Sequence, residues 1–182
     1  RLEATNKFPD YTFIKGSGED TTLPNNYADL VTVATAFYWM DRHKAIREIS
    51  RITKPNGVLA LYRYLFPAIM SEANAVMLRH CEQYWDKYRD PRLVSEDDSD
   101  KLLAASGVFS DIECFRVANI WNLPIERFVG FLRSTSYVSK YLEEIGANAE
   151  EYLEGLSSEL RNANGSDMFD VNFDIHMIMA KG

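Results

Sequence analysis

The sequence predicts an α/β fold in which short apolar strands alternate with amphipathic helices. Three observations predict it. The block from Ala28 to Tyr62 runs as an apolar strand, an amphipathic helix, a Pro-Asn-Gly turn and a second apolar strand, the unit from which such sheets are assembled. Residues 58–62 are short and apolar throughout, as a strand is when helices cover both faces of a parallel sheet. Near the end of the sequence Phe169, Val171, Phe173, Ile175, Met177 and Met179 alternate with Asp170, Asn172, Asp174 and His176. That period of two marks one long half-buried strand.

The elements follow in order. Residues 1–7 read as the end of a helix, so the chain reads as truncated at its N-terminus. Tyr11-Thr-Phe-Ile-Lys15 is aromatic and β-branched, lies between Pro9-Asp10 and Gly16, and predicts a short strand. A polar loop occupies 17–26. Residues 28–33 form the next strand, and Ala34-Thr-Ala36 after it lets a backbone approach closely. Asp41 is placed to cap a helix whose stripe is Ala45, Ile46, Ile49 and Ile52, with Arg42, Lys44, Arg47 and Arg51 toward water. Lys54-Pro-Asn-Gly57 stops that helix. A long helix fits 72–88, with Ala73, Val76, Met77, Cys81, Tyr84, Trp85 and Tyr88 at helical spacing, and Pro91 ends it. Ser95-Glu-Asp-Asp98 opens another helix and Gly107 closes it. A strand over 108–117, helices over 124–135, 137–145 and 150–160, the last acidic and solvent-facing, and the alternating strand complete the order.

With 182 residues and 46% hydrophobic content, the chain has material for one sizeable core, and a single domain over 1–182 is the expectation. A formal charge of −7 argues against general nucleic-acid binding, which needs clustered Lys and Arg. Small molecules are the expected partners. No apolar run reaches the ~20 residues of a membrane span, and the expected location is cytoplasmic. Cys81 and Cys114 are read as two reduced, core-lining thiols. His43, His80 and His176 show no metal-ligand spacing.

Four motifs stand in a fixed order: Gly16-Ser-Gly-Glu19, Asp29-Leu-Val31, Phe37-Tyr-Trp39 and Lys54-Pro-Asn-Gly57. In these the chain resembles the class I S-adenosylmethionine-dependent methyltransferases, in particular the small-molecule group similar to trans-aconitate methyltransferases. The resemblance implies a Rossmann-like sheet, mostly parallel, with a long antiparallel last strand and S-adenosylmethionine as cofactor. The family's strongest motif, the Gly-rich turn of the first βαβ unit, does not occur in this sequence. Two strands would then be missing between the strand at Tyr11 and the one at Ala28, leaving a hole at the centre of the sheet.

The resemblance also assigns roles. Ser17, Gly18 and Glu19 would meet the adenine edge, and Ala34, Thr35, Ala36 and Phe37 would receive the methionine end of the cofactor. Tyr38 and Trp39 would wall the transfer site, with Tyr38, where the family carries His, as the candidate for proton transfer. Arg63 and Tyr64 after the next strand, and Arg133 and Tyr137 in a helical insertion over 120–165, would face the substrate as its cover; arginine suits a carboxylate by paired hydrogen bonds. No metal site is implied. The expected reaction is methyl transfer to a carboxylate or other oxygen nucleophile. The alternative is a non-catalytic interaction protein, or an inactive fragment lacking the cofactor-binding half. A nicotinamide-dependent oxidoreductase is disfavoured, because its fingerprint is equally lacking.

Overall fold

The computed structural model describes residues 2–94 and 97–182. They form two compact units, one of 2–63, 97–115 and 177–182, the other of 64–94 and 116–176. The chain therefore leaves and re-enters the first unit twice.

The first unit holds α1 (Leu2–Lys7), β1 (Ala28–Ala34), α2 (Arg42–Ile52), β2 (Thr53–Tyr64) and, further along the chain, α5 (Ser99–Ser106), β4 (Ser110–Val117) and β7 (Ile175–Lys181). Its four-stranded sheet has the order β1-β2-β7-β4. β1 and β2 are parallel, joined through α2. At one end of β7 Gly182 exchanges backbone hydrogen bonds with Asn56 and Gly57, and at the other Leu65 donates to Asp174. β7 thus runs opposite to β2, as the resemblance implied.

Helix α2 forms for the reasons its sequence states. The Asp41 side chain accepts the Lys44 amide at its start, satisfying one of the donors that a helix leaves open there. Ala45, Ile46, Ile49 and Ile52 are all buried, the first three packing with Val33, Leu59, Leu61, Leu103, Phe109 and Ile178 in one core. The Pro-Asn-Gly turn lies inside β2 as a bulge, the register jumping from Ala28↔Thr53 to Leu30↔Val58. Asn56 takes a left-handed φ of 66° there. A Cβ on Gly57 would stand 2.9 Å from the Lys54 carbonyl oxygen and 3.1 Å from that of Ala28, so only glycine closes this junction without displacement.

Three expectations fail in this unit. Residues 11–15 form no strand; Tyr11, Phe13 and Ile14 lie exposed, because a strand exists by pairing and no described neighbour pairs with them. The hole expected at the sheet's centre is likewise not there, since β1 is an outer strand and β2, β7 and β4 follow it without interruption. Cys114 is exposed on β4, another outer strand, whereas Cys81 is buried. Of the expected start at 95–98, residues 95 and 96 lie outside the described residues. Helix α5 begins at Ser99, and Asp98 makes no side-chain cap. Gly107 closes it in the left-handed conformation, φ 68°.

The second unit comprises β3 (Ala68–Ile69), α3 (Ala73–His80), the short α4 (Pro91–Val94), β5 (Ile120–Pro124), α6 (Ile125–Ser134), α7 (Ser136–Ile145), α8 (Ala149–Asn164) and β6 (Met168–Asn172). Pro91 thus opens a helical turn as well as ending the previous helix, consistent with its preset φ. Helix α3 continues through a π-turn, Cys81–Trp85, and a 3-10 turn, Asp86–Tyr88. The π-turn has a physical cause. Buried Ala73, Met77, Cys81 and Trp85 recur every four residues, which overshoots the 3.6 period, and a wider turn keeps them on one face. They pack with Phe128, Leu132, Val138, Leu153, Leu156, Leu160, Phe169 and Val171. Helix α8 is therefore not simply solvent-facing: its acids are outside and three leucines are inside.

The long last strand is two strands. β6 joins the sheet β3-β6-β5 antiparallel to both neighbours, and β7 joins the other sheet. Phe169 and Val171 are buried on β6, yet on β7 the buried residues are Ile178 and Ala180. The inward phase therefore slips by one residue at Phe173-Asp174, and Met177 and Met179 lose the buried places the alternation predicted for them.

In the second core Tyr152 Oη accepts from Trp85 Nε1 at 3.0 Å and lies 2.8 Å from His80 Nδ1. On its other side the His80 imidazole faces Glu159, Nε2 lying 3.4 Å from Oε2.

Candidate functional site

In a sheet of this kind ligands sit where parallel strands end, which in the first unit is the carboxyl edge of β1 and β2. The Thr35 amide donates to the Tyr62 carbonyl at 2.8 Å, tying the two strand ends together. Thr35 does so with a φ of 53°, a left-handed conformation uncommon for a β-branched residue and costing about 1–3 kcal/mol. The turn leaves Ala34 exposed and Thr35 and Ala36 half-buried, so the small side chains keep the backbone approachable.

The loop at 16–21 is fastened to α2 at two points. Glu19 Oε1 accepts the Asp41 amide at 2.9 Å at the start of the helix. That bond, with smaller contributions from its own amide and the Ser17 hydroxyl, holds the Glu19 carboxyl below its ordinary pKa. Further along, Glu48 Oε1 accepts the Thr21 amide at 2.8 Å and the Thr21 hydroxyl at 2.6 Å. Arg51 adds Nε and Nη2 bonds to the same carboxylate at 2.8 and 2.7 Å. Arg51 first, opposed by burial and helped by Thr21, brings the Glu48 pKa down to about 2. Between these anchors Ser17 and Asp20 bond each other's backbone, and Ser17 Oγ accepts the Asp20 amide at 3.1 Å. A Cβ on Gly18 would fall 2.4 Å from Met40 Sδ. The loop's small residue is thus explained by the methionine packed over it.

The residues expected to bind the cofactor divide accordingly. Ser17, Gly18 and Glu19 lie on this fastened loop, and Ala34, Thr35 and Ala36 form the strand-end turn. Phe37 begins a 3-10 turn, Phe37–Trp39, and its ring is buried in the core, so that only its backbone is left to face a ligand. Tyr38 is half-buried and Trp39 is exposed, with ring centroids 5.1 Å apart.

The substrate candidates are placed less uniformly. Arg63, at the end of β2, holds its Nε 3.3 Å from Asp97 Oδ2, an ion pair too poorly aligned for a hydrogen bond. Neighbouring Asp98 pairs with Arg42, which lowers its carboxyl pKa. Arg133 is an exposed helix residue paired to Glu150 at 2.9 Å, so its charge is already engaged. In the second unit Tyr64 is exposed and packs edge-on against Phe131 and Phe173. Tyr137 is buried, and burial pushes its phenol up to about 12.

The arginine that faces Tyr137 is Arg89, which sequence reasoning missed. Its guanidinium carbon lies 5.8 Å from the Tyr137 ring centroid and 5.1 Å from that of Phe66. A signal was present: Arg89 is the next step of the four-residue series 73, 77, 81, 85, so helical spacing alone places it beside the core. Asp97 and Asp98 carried no such signal, because their partners are distant in sequence. Among the described residues no group of three His, Cys, Asp or Glu side chains could hold a metal ion, and no helix is long and apolar enough to cross a membrane.

Comparison with known proteins agrees with this architecture. A family model described as a methyltransferase domain matches residues 1–61, the stretch that carries the loop, β1, α2 and most of β2. A protein of Dictyostelium discoideum named as a methyltransferase is 23% identical over 185 aligned residues, covering 100% of this chain and 70% of its own length. An uncharacterized methyltransferase of Schizosaccharomyces pombe is 24% identical, covering 91% of this chain and 64% of its own length. A Mycobacterium tuberculosis relative is 38% identical, but over only 53 residues, 29% of this chain and 22% of that protein. Among solved structures, a type II methyltransferase from Anaeromyxobacter dehalogenans superposes with a TM-score of 0.74 at 23% identity, over 93% of this chain and 71% of that one. The matched domain and these relatives make the chain similar to methyltransferases, and the superposition shows that it shares their α/β fold.

Proposed function

We propose that the protein transfers a methyl group from S-adenosylmethionine to a small-molecule acceptor, with a carboxylate or other oxygen nucleophile as the methylated group. The observation that carries this reading is the strand-end turn, where two alanines flank a left-handed Thr35 beside a loop pinned to Met40 and Asp41. Such a turn has no packing requirement that a regular strand end would not meet, and a nucleoside with an amino-acid tail is a ligand that needs close backbone approach.

The residues present fit that cofactor. Ser17, the Gly18 amide and the free side of Glu19 suit the adenine edge, while the backbone of Ala34, Thr35, Ala36 and Phe37 suits the methionine ammonium. The rings of Tyr38 and Trp39 offer π-faces to a sulfonium cation. When bound, S-adenosylmethionine supplies a methyl group on a positively charged sulfur that is itself the leaving group. The chain's task is then chiefly to bind and orient, worth several orders of magnitude in rate. An ionised carboxylate needs no base. A phenol or amine acceptor would need one, and the Tyr38 hydroxyl is the group on this edge able to relay a proton.

Calorimetric titration with S-adenosylhomocysteine tests the reading. Binding that is lost in Ala34→Trp, where the indole would fill the open turn, is the expected result. No heat and no thermal stabilisation for the parent protein would overturn it in favour of a non-catalytic binding module on the same fold.

A further inference from the structure

We propose that four tyrosines of the second unit, Tyr152, Tyr141, Tyr84 and Tyr88, form a one-electron relay that draws an oxidising equivalent from the buried Trp85 to the surface. The proposal stands independently of the methyltransferase reading.

The relay begins in the core. Trp85 is fully buried, and its Nε1 donates to Tyr152 Oη at 3.0 Å, so the first two rings are in hydrogen-bonded contact. From Tyr152 the ring centroids step 4.9 Å to Tyr141, and from there 5.4 Å to Tyr84 or 6.3 Å to Tyr88. Tyr84 also lies 5.8 Å from Tyr152 directly. Tyr84 is exposed, and the Tyr88 hydroxyl donates to the exposed Glu144 carboxylate. Electron transfer between rings falls off steeply with separation, and every step here joins neighbouring rings.

Proton chemistry singles out the two ends. A phenol gives up an electron readily only when its proton leaves with it, so an oxidisable tyrosine needs a base at its oxygen. Tyr88 has Glu144, and Tyr152 Oη has His80 Nδ1 at 2.8 Å. Burial lowers the His80 pKa against the pull of Glu159, so the imidazole is neutral at neutral pH and open to a proton. The step uses the tautomer with Nδ1 open, the one that the Glu159 carboxylate, 3.4 Å from Nε2, favours. Packing alone does not call for this arrangement: phenylalanine at 152 would fill much the same space without an oxygen to satisfy.

The electrons and protons balance. A small oxidising radical takes one electron from Trp85, becoming its anion and leaving an indole radical cation. Tyr152 returns an electron to the indole as its phenol proton moves to His80 Nδ1. An electron from Tyr88, passed through Tyr141, reduces the Tyr152 phenoxyl, which takes its proton back from His80, while the Tyr88 proton goes to Glu144 and on to solvent. A thiol in solution then gives Tyr88 a hydrogen atom. Left in place, the radical cation would open the indole ring and put a polar product in the core that Trp85 shares with Met77, Leu153 and Leu156.

The test makes the radical in place. Near-ultraviolet irradiation in aerated buffer, with cobalt(III) hexaammine as the electron acceptor, ionises tryptophan, and peptide mapping by mass spectrometry measures N-formylkynurenine at Trp85 against that at the exposed Trp121 of the same sample. Tyr152→Phe, which removes the first donor, should raise this ratio at least threefold over the parent. Tyr84→Phe/Tyr141→Phe, which keeps the Tyr152 hydroxyl and cuts both exits, should raise it by a smaller factor. Phe128→Leu, which loosens the same core without touching the relay, should leave it unchanged. If Tyr152→Phe does not fold, the double variant carries the test. A ratio equal to the parent's in both tyrosine variants, or one that rises as much in Phe128→Leu, would overturn the relay.

Discussion

Glu48 shows how much one carboxylate can organise. It lies on α2, is 8% exposed, and collects two bonds from Thr21 and two from Arg51. Its removal leaves Thr21 and the Arg51 Nε and Nη2 donors without their acceptor, Nη1 alone keeping Asn25, so Glu48→Ala should lower stability by about 3 kcal/mol in urea unfolding and loosen the 16–21 loop. Because folding brings its pKa from 4.5 down to about 2, its contribution is complete above pH 4.5 and is lost as pH falls toward 2. The parent should therefore lose stability across that window more steeply than Glu48→Gln. His80 gives a separate acid response. Burial lowers its pKa from 6.5, against the opposing pull of Glu159 and with a minor push from Arg79. The unfolded chain then takes up the proton more readily, so stability falls as pH drops below 6.5. A urea midpoint that declines between pH 7 and 5.5 in the parent, and more shallowly in His80→Gln, would show it; identical slopes would not. At this scale the sequence was legible where a residue acts on near neighbours, as with the Asp41 cap. It was not legible for Arg133 and Arg89, whose standing depends on which partners the fold brings to each guanidinium.

At the scale of elements, helix periodicity proved the firmer guide, since α2 buries all four residues that its stripe names. A strand is a different object, because half of its definition lies in another part of the chain. That is why an aromatic, β-branched run at 11–15 stays outside any sheet, and why one alternating run became β6 and β7 with opposite phases. β5 went unread for a similar reason: its five residues are mostly exposed and show no alternation. The β1-β2 junction yields a prediction from contacts alone. In Gly57→Ala the new methyl meets two carbonyl oxygens and Thr53 Cγ2, the last at 2.7 Å, and the backbone cannot swing aside as a side chain could. Thermal or urea unfolding should register a loss of about 2 kcal/mol. Gly18→Ala, which meets only the flexible end of Met40, should lose less than half as much.

The described residues of the molecule form two hydrophobic cores, each with its own set of side chains. Phe128 is fully buried in one of them, and Phe128→Ala should cost about 3–5 kcal/mol there. Hydrogen exchange should show the loss in α3, α6 and α8, with β1 and α2 keeping most of their protection; uniform loosening of both units would contradict separate cores. The fold class was legible because the strand, helix, turn, strand block lies unbroken in the sequence. The partition into two units was not, because each unit is stitched from separated segments. The strand order carries one more consequence, for synthesis on the ribosome. β7 sits inside its sheet, between β2 and β4, yet it is the last of the four to be translated. β1, β2 and β4 must wait beside the exit tunnel with two inner edges unpaired until residues 175–182 emerge. During that interval the growing chain is most exposed to pairing with the wrong strand.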